Sequence, residues 1–241
     1  MRQHDHGPVL PTLSGVSLLR SDDPTGPLAS LAVDRLLTDD GPVWWADAGG
    51  HARTDVLARV APSAGLLDRV RVARAFTATQ HASLLRTLER RVTPEAALVV
   101  CPAVDALYRD GDLPGGEPAD LLAAAADRLA RIAGSGVPVL LTLDREDDRP
   151  APVARVVDER IDHESTRFGP RFAGEGFETL VYPRRDGTVQ TTLAFWVRVL
   201  ERRAAAAGGD VGSGTGTGTN PGATPGTGVE MGMEVGAGGS H

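Results

Sequence analysis

Apolar runs of strand length alternate with segments of helical spacing, and this alternation limits the chain to few folds. The run at 97–101 (ALVVC) is apolar at every position, as a strand buried on both faces of a sheet requires. Repeated strand–helix units join parallel strands through helices that cover both sheet faces. The sequence therefore predicts an α/β fold with a mainly parallel sheet flanked by helices. Strands are predicted at 15–20, 43–48, 70–76, 97–101 and 137–143, and helices at 26–37, 55–60, 80–92 and 120–133.

The pattern changes after residue 153. Segments 178–182 and 188–195 flank PRRDGT, whose Asp-Gly pair is typical of a hairpin turn, so we expect a C-terminal antiparallel hairpin. Residues 197–207 predict a short, frayed helix. The last 34 residues contain 13 glycines and predict a disordered Gly/Thr-rich tail. The predicted organisation is a flexible lead-in, one α/β domain and the tail, at 1–12, 13–207 and 208–241.

All 25 basic side chains are arginine, and the chain contains no lysine. This composition excludes Schiff-base chemistry and the lysine that reaches the phosphates in a Walker A loop. The single cysteine, Cys101, excludes an intramolecular disulfide and a multi-thiolate zinc site. No apolar run approaches the roughly 18 residues of a membrane span. We therefore expect a soluble, cytoplasmic protein without membrane contact.

Four segments, in order and spacing, resemble the ATPase core of the RecA/RadA recombinase superfamily over about residues 13–145. VWWADAGGHARTDVLARVA (43–61) is similar to the segment in which the family runs strand, DTEG, arginine and helix. RVRVARAFTATQHASLLRTL (69–88) is similar to the family's VARAF strand and the helix after it. ALVVCPAVDALYR (97–109) lies where the family has its Walker B strand, and GVPVLLTLD (136–144) resembles the strand that ends in a polar sensor. The resemblance implies a RecA-like P-loop fold.

The resemblance also locates a nucleotide site whose catalytic residue types are missing. Gly26 matches the P-loop, but Pro27 stands for the lysine and Leu28 for the magnesium-binding hydroxyl. Pro27 lacks an N–H donor, and a carboxylate about 5 Å from a phosphate is repelled by roughly 3 kcal/mol at a dielectric constant near 20. In this degenerate site, Asp47 matches the family, whereas Gly49 and Cys101 replace the glutamate and the Walker B aspartate. The altered loop contributes Ser21, Asp22, Asp23, Gly26, Pro27 and Leu28.

The resemblance thus implies a non-catalytic protein that has lost ATPase activity and needs no cofactor. We expect an accessory or regulatory factor in DNA recombination or repair that acts through protein–protein contacts. A RecA/RadA-type recombinase or another repair protein is the expected partner. Two alternatives stay open: a nucleotide-binding switch in which an arginine such as Arg20 or Arg53 replaces the lysine, and a direct DNA-binding protein.

Positive charge is concentrated between residues 53 and 91, where eight arginines stand against three acidic residues in a chain of net charge −7. Such a segment is typical either of a contact face or of solvated helix surfaces. Region 144–186 has an excess of three negative charges, which disfavours phosphate contact there. The candidate face for a partner or a nucleic acid consists of Arg53, Arg59, Arg69, Arg71, Arg74, Arg86, Arg90 and Arg91.

Other polar residues give weaker hypotheses. Asp47 with His51 and His81 would form a metal or acid–base site if the two histidines are more than polar residues at helix starts. Asp162 to Ser165 alternate in direction on an extended chain, so this segment predicts an exposed loop or edge strand rather than a site. Cys101 predicts a packed apolar side chain. No metal site is therefore expected.

Overall fold

An eight-stranded sheet forms the centre of the protein. The computed structural model describes residues 10–109, 117–145, 147, 150–166, 169–179, 197, 199–201 and 203–205. The strands are β1 Val16–Arg20, β2 Val43–Ala48, β3 Val70–Ala75, β4 Leu98–Cys101, β5 Val139–Leu141, β6 Glu159–Thr166, β7 Gly169–Gly174 and β8 Phe177–Glu178. The helices are α1 Thr25–Thr38, α2 Thr54–Val60, α3 Ala78–Arg91, α4 Glu117–Gly134 and α5 Ala151–Ala154, with short 3₁₀ turns at Ala64–Arg69 and Ala106–Tyr108.

The sheet order is β3-β2-β4-β5-β1-β6-β7-β8. Every pairing from β3 to β6 is parallel, whereas β7 and β8 are antiparallel to their neighbours. The predictions of an α/β fold, a mainly parallel sheet and a C-terminal antiparallel hairpin are thereby confirmed. The described hairpin is β6–β7, which precedes the predicted position. The segments predicted as its strands lie largely outside the described residues, as does the tail.

Helices cover both faces of the sheet because its central strands bury side chains in both directions. Along β4, Leu98 and Val100 belong to the core cluster that contains α1 and α2, whereas Val99 and Cys101 belong to the cluster that contains α3 and α4. All four side chains are fully buried. The continuous apolar run in the sequence is therefore explained by burial on both faces.

The polar segment at 161–166 is part of β6, so it is a strand and not a loop. Ile161 and Asp162 pair with β1 as well as with β7, whereas residues 163–166 pair with β7 alone, as in an edge strand. Ile161 and His163 are buried, while Asp162 and Glu164 are exposed. Side chains alternate between the two faces of a strand, so a largely polar sequence can form a strand with one buried face.

The chain returns to the core after the hairpin region. The described positions between 197 and 205 are helical, and Val199 and Leu200 are buried against α1 and its neighbours. The Arg203 guanidinium donates to Asp34 on α1, with Nη2 2.6 Å from Oδ2. This segment is therefore packed rather than frayed. None of the helices in the described part of the chain is long and apolar enough to cross a membrane.

The turn between α1 and β2 is closely packed at Gly41. A Cβ atom there would lie 1.7 Å from the Glu95 carbonyl oxygen and 2.8 Å from the Ala97 nitrogen. The Arg69 guanidinium holds the same turn by donating to the Asp39 carbonyl at 2.7 Å. No side chain fits at position 41 unless the backbone around it shifts.

We expect Gly41→Ala to lower the free energy of unfolding by about 2–3 kcal/mol, because the added methyl overpacks this turn. Gly65→Ala is the matched control, since a Cβ at Gly65 has no neighbour within 4 Å. That variant should be unchanged or stabilised by about 0.4–1 kcal/mol. Urea unfolding followed by circular dichroism measures both, and equal stability of the two variants would contradict this account of the turn.

Candidate functional site

The candidate site lies at the carboxyl ends of the parallel strands. From β1 the chain crosses toward β2 on one side of the sheet, and from β5 it crosses toward β6 on the other. Because β1 and β5 are neighbours, their ends form a topological switch point, the usual ligand position in open α/β sheets. The loops after β1, β2, β4 and β5 meet at this edge.

The loop after β1 is short, and the carboxylate of Asp23 in this loop accepts a hydrogen bond from the start of the next helix. Helix α1 begins at Thr25, and Asp23 Oδ1 accepts a hydrogen bond from the Thr25 backbone nitrogen at 3.1 Å. Asp22 and Asp23 are both exposed. An anion approaching the positive end of α1 therefore meets two carboxylates, one of which is already bonded there.

Pro27 and Leu28 do not face this loop. Both lie in the first turns of α1 and are buried. A proline is tolerated there because the first backbone N–H groups of a helix have no intrahelical partner. The resemblance places these two residues in the predicted phosphate loop, but in the structure their side chains are buried in α1.

Ser21 contacts His163, which lies in the segment that the sequence predicts to be an exposed loop or edge strand. Its Oγ lies 2.9 Å from Nδ1 of His163 on β6, and 142 positions separate the two residues. Burial lowers the pKa of His163, while the charges of Asp23 and Glu164 act in the opposite direction. The other ring nitrogen, Nε2, is buried without a hydrogen-bond partner among the described residues. No local signal could have paired two residues so far apart in the chain.

Asp47 is fully buried at the end of β2 and is committed to holding a turn. Its Oδ1 accepts from the backbone nitrogens of His51 and Ala52 at 2.7 and 3.0 Å. Its Oδ2 accepts from Nε of Arg74 on β3 at 2.5 Å. The carboxylate therefore links β2, the following turn and β3, and neither oxygen is left without a partner.

The backbone conformation of the turn after β2 explains why residue 49 is a glycine. Gly49 and Gly50 have φ angles of 80° and 104°, in the region that favours glycine. A glutamate at position 49 would be strained in this turn.

Two buried polar residues lie on the α3–α4 side of the site. His81 Nδ1 is 2.9 Å from the Tyr108 hydroxyl, and burial lowers the pKa of His81 to about 4. Cys101 is fully buried at the end of β4, and burial raises the pKa of its thiol to about 12. Neither the imidazole nor the thiol is charged near neutral pH, so both behave as packing groups.

The predicted grouping of Asp47, His51 and His81 is not a metal site. Only the backbone nitrogen of His51 contacts Asp47, and the His51 side chain is exposed. Across the described ranges, no three histidine, cysteine or acidic side chains are grouped so that they could hold a metal ion.

The loops after β4 and β5 are tied together. Asp105 is 1% exposed and accepts from the Asp144 nitrogen at 2.7 Å and from Arg109 Nε at 2.6 Å. Arg109 also donates to Asp147 Oδ2 at 2.7 Å. Thr142 Oγ1 accepts from the Ala103 nitrogen at 2.8 Å. These bonds lock the two loops across the edge where a ligand would enter.

The eight arginines of the candidate face divide into two groups. Four are committed to the fold: Arg53 and Arg59 pair with Asp55, Arg74 pairs with Asp47, and Arg69 donates to backbone carbonyls. Arg86 and Arg90 donate only to the hydroxyls of Ser83 and Thr87, whereas Arg71 and Arg91 have no hydrogen bond or ion pair with the described residues. Within the described part of the chain, the arginines of this face without a carboxylate partner are therefore Arg71, Arg86, Arg90 and Arg91.

The sequence matches no protein-family model, and no curated protein is significantly similar to it.

We expect the buried His81 to make the protein sensitive to acid. Its pKa falls from 6.5 to about 4 on folding, so the unfolded chain takes up a proton first as the pH drops. The stabilisation is complete above pH 6.5 and is lost toward pH 4, by about 3 kcal/mol in total. In His81→Phe this part of the pH dependence should disappear from urea unfolding curves.

His51→Gln is the matched control, because the His51 side chain is exposed and should contribute little to the same slope. If His81→Phe and the unmodified protein lose equal stability between these pH values, burial of a neutral His81 is not the cause of the acid sensitivity.

Proposed function

We propose that this protein is a non-catalytic RecA/RadA-like factor that acts in DNA recombination or repair through protein–protein contacts. One observation carries the non-catalytic part. The polar side chains at the switch-point edge are bonded to the chain itself: Asp23 to the start of α1, Asp47 to a turn and Arg74, Asp105 to Arg109, Thr142 to Ala103 and Ser21 to His163. A nucleotide would have to displace these bonds to be held.

Among the residues that the structure describes, the groups that hold triphosphates elsewhere have no equivalent at this edge. The chain has no lysine, and the two arginines proposed as its substitutes are paired with acids, Arg20 with Asp162 and Arg53 with Asp55. Asp22 and Asp23 add repulsion where the phosphates would lie. Hydrolysis by phosphate positioning and charge neutralisation is therefore unsupported.

The RecA-like part of the proposal is supported by the placement of the similar segments. The segment at 43–61 forms β2 and α2, and the segment at 69–88 forms β3 and most of α3. The segments at 97–109 and 136–144 contain β4 and β5, which lie side by side in the centre of the sheet. The TxxQ pattern within the second segment has a physical role, because Thr77 Oγ1 caps α3 by accepting from the Gln80 nitrogen.

The proposed partner is a RecA/RadA-type recombinase or another repair protein in the cytoplasm. The surface of this protein that contacts the partner would include Arg71, Arg86, Arg90 and Arg91, which have no carboxylate partner among the described residues. A fold shared with recombinases does not by itself set the function, so the partner has to be found by experiment.

We expect isothermal calorimetry with ATP and Mg²⁺ to show no saturable binding. The double variant Asp22→Asn/Asp23→Asn should behave in the same way, because removing the repulsion supplies no phosphate ligand. Micromolar binding by the unmodified protein would contradict the non-catalytic proposal in favour of a nucleotide switch. Binding by the variant alone would show that the acidic loop, rather than the loss of ligands, keeps nucleotide out.

A separate experiment tests the role in repair. Affinity capture with the full chain from its native host should recover the recombinase or another repair protein. If neither is recovered, the accessory role is contradicted, whereas the calorimetric result on nucleotide binding still stands.

A further inference from the structure

Ser21 and His163 form a pair that the proposed function does not use. Ser21 directly follows β1 at the carboxyl edge of the sheet, and its Oγ lies 2.9 Å from Nδ1 of His163 on β6. A hydroxyl within hydrogen-bond distance of an imidazole nitrogen is the arrangement that activates a serine as a nucleophile. Ser21 is partly exposed, whereas His163 is 9% exposed. The hydroxyl is therefore open to a small reagent, while the imidazole is shielded from water.

The pairing of β1 with β6 brings the two side chains together. Arg20 and Asp162 are the last partners in this parallel ladder, and their side chains form an ion pair with Nη1 3.2 Å from Oδ1. Ser21 and His163 are the next residues of the two strands, so they leave the ladder at the same level. The imidazole also packs against Phe172 of β7, with 5.1 Å between the ring centroids. The sheet itself thus sets the position of the pair.

The imidazole of His163 is in the form that accepts a proton. Burial is the largest influence on the pKa of His163 and lowers it, so the ring is neutral near neutral pH. The carboxylates of Asp23 and Glu164 act in the opposite direction and favour the charged ring. They would stabilise the imidazolium that forms when the serine proton moves to Nδ1. On β7, the partner of His163 in the ladder is Phe172, which is uncharged.

Two features distinguish this pair from the triad of a serine hydrolase. When Nδ1 accepts from Ser21, the ring proton is on Nε2, and this nitrogen is buried without a hydrogen-bond partner among the described residues. The described part of the chain thus supplies no carboxylate to orient the ring as in a triad. Asp22 and Asp23 are exposed beside the serine and disfavour the negative charge of an oxyanion. The pair is therefore suited to a single transfer from an activated donor rather than to repeated turnover.

We propose that Ser21 is an acylation site that takes an acyl group from an uncharged or positively charged activated ester, with His163 as the base. The Ser21 Oγ forms a bond to the ester carbonyl carbon while its proton moves to Nδ1 of His163. The bond from that carbon to the leaving oxygen then breaks, and the leaving oxygen takes the proton from Nδ1. The products are O-acylated Ser21 and the free alcohol, and nothing is oxidised or reduced.

The charge of the loop limits the class of donor. Asp22 and Asp23 are exposed next to the nucleophile, so an anionic ester is repelled as it approaches. This inference goes beyond the proposed function, because acylation of Ser21 requires neither a nucleotide nor a repair protein. Failure of one proposal therefore leaves the other in place.

The probe is p-nitrophenyl acetate, incubated with the full chain and followed by mass spectrometry of tryptic peptides. The chain has no lysine and its only thiol, Cys101, is fully buried, so the side chains that usually compete for an activated ester are absent or shielded. Ser83 is the internal reference, because it is exposed and its Oγ accepts from Arg86 instead of contacting a histidine. We expect Ser21 to be acetylated at least about a hundredfold faster than Ser83, the usual contribution of a positioned base.

His163→Gln tests the role of the base. Glutamine can keep a hydrogen bond to Ser21 but does not take its proton, so acetylation of Ser21 should slow by about a hundredfold. His51→Gln is the matched control, since the His51 side chain is exposed at the same edge, and it should leave the rate unchanged. An unchanged rate in His163→Gln, or equal rates at Ser21 and Ser83 in the unmodified protein, would overturn the proposal and leave the hydrogen bond a structural one.

The pH profile tests the same base without altering the chain. Acetylation of Ser21 should be slow in acid, where Nδ1 holds a proton, and should reach a plateau as the pH rises. The midpoint should lie below 6.5, the ordinary histidine value, because burial lowers the pKa of His163. A rate that rises through alkaline pH without a plateau would assign the reaction to ionisation of the hydroxyl alone, which also overturns the proposal.

Asp22→Asn tests the class of donor. The mono-p-nitrophenyl ester of succinic acid carries a carboxylate, and p-nitrophenyl acetate is the uncharged match with the same leaving group. We expect Asp22→Asn to raise the rate of Ser21 labelling by the succinate ester by about threefold, the size of an exposed charge interaction, and to leave the acetate rate unchanged. An equal effect of the variant on both esters would overturn the assigned donor class.

Discussion

Burial of both faces of the central strands is the constraint on which the rest of this structure depends. The side chains of β4 and β5 are fully buried between α1 and α2 on one side and α3 and α4 on the other. Such strands have little room for unpaired polar groups, because a buried polar group without a hydrogen bond is costly. Chemistry-bearing side chains are consequently concentrated at the strand ends.

At the carboxyl ends of the strands, these polar groups form hydrogen bonds and ion pairs with other parts of the protein. Asp47 joins β2 to its turn and to β3, and Asp105 joins the loops that follow β4 and β5. Gly49 serves a turn with left-handed backbone angles, and Cys101 is a buried packing group. Residues that differ from the catalytic residues of an ATPase thus have structural roles in this protein. The proposal of a non-catalytic protein rests on these hydrogen bonds and ion pairs among the polar groups at the carboxyl ends of the strands.

The side chains of β3 are not buried on both faces of the sheet, so this strand has an exposed surface. Among the described strands it has a neighbour on one side only, and the side chains from Arg71 to Arg74 are exposed. The arginines that the sequence groups into one charged face have different roles in the structure. Arg69 and Arg74 stabilise the fold, whereas Arg71, Arg90 and Arg91 remain available beside the open edge. The part of the chain suited to contacts is therefore narrower than the charge pattern indicates.

The sequence by itself determined the alternation of strands and helices, the buried nature of β4 and the parallel character of the sheet. These follow from apolar periodicity and segment length, which are local properties. The tertiary structure decided that the polar segment at 161–166 continues a strand that pairs with β1 and that Ser21 contacts His163 across 142 positions. It also decided that Pro27 and Leu28 are buried in α1 and that the arginines divide into structural and exposed groups. Such pairings depend on which strands become neighbours, and no local pattern in the chain encodes that order.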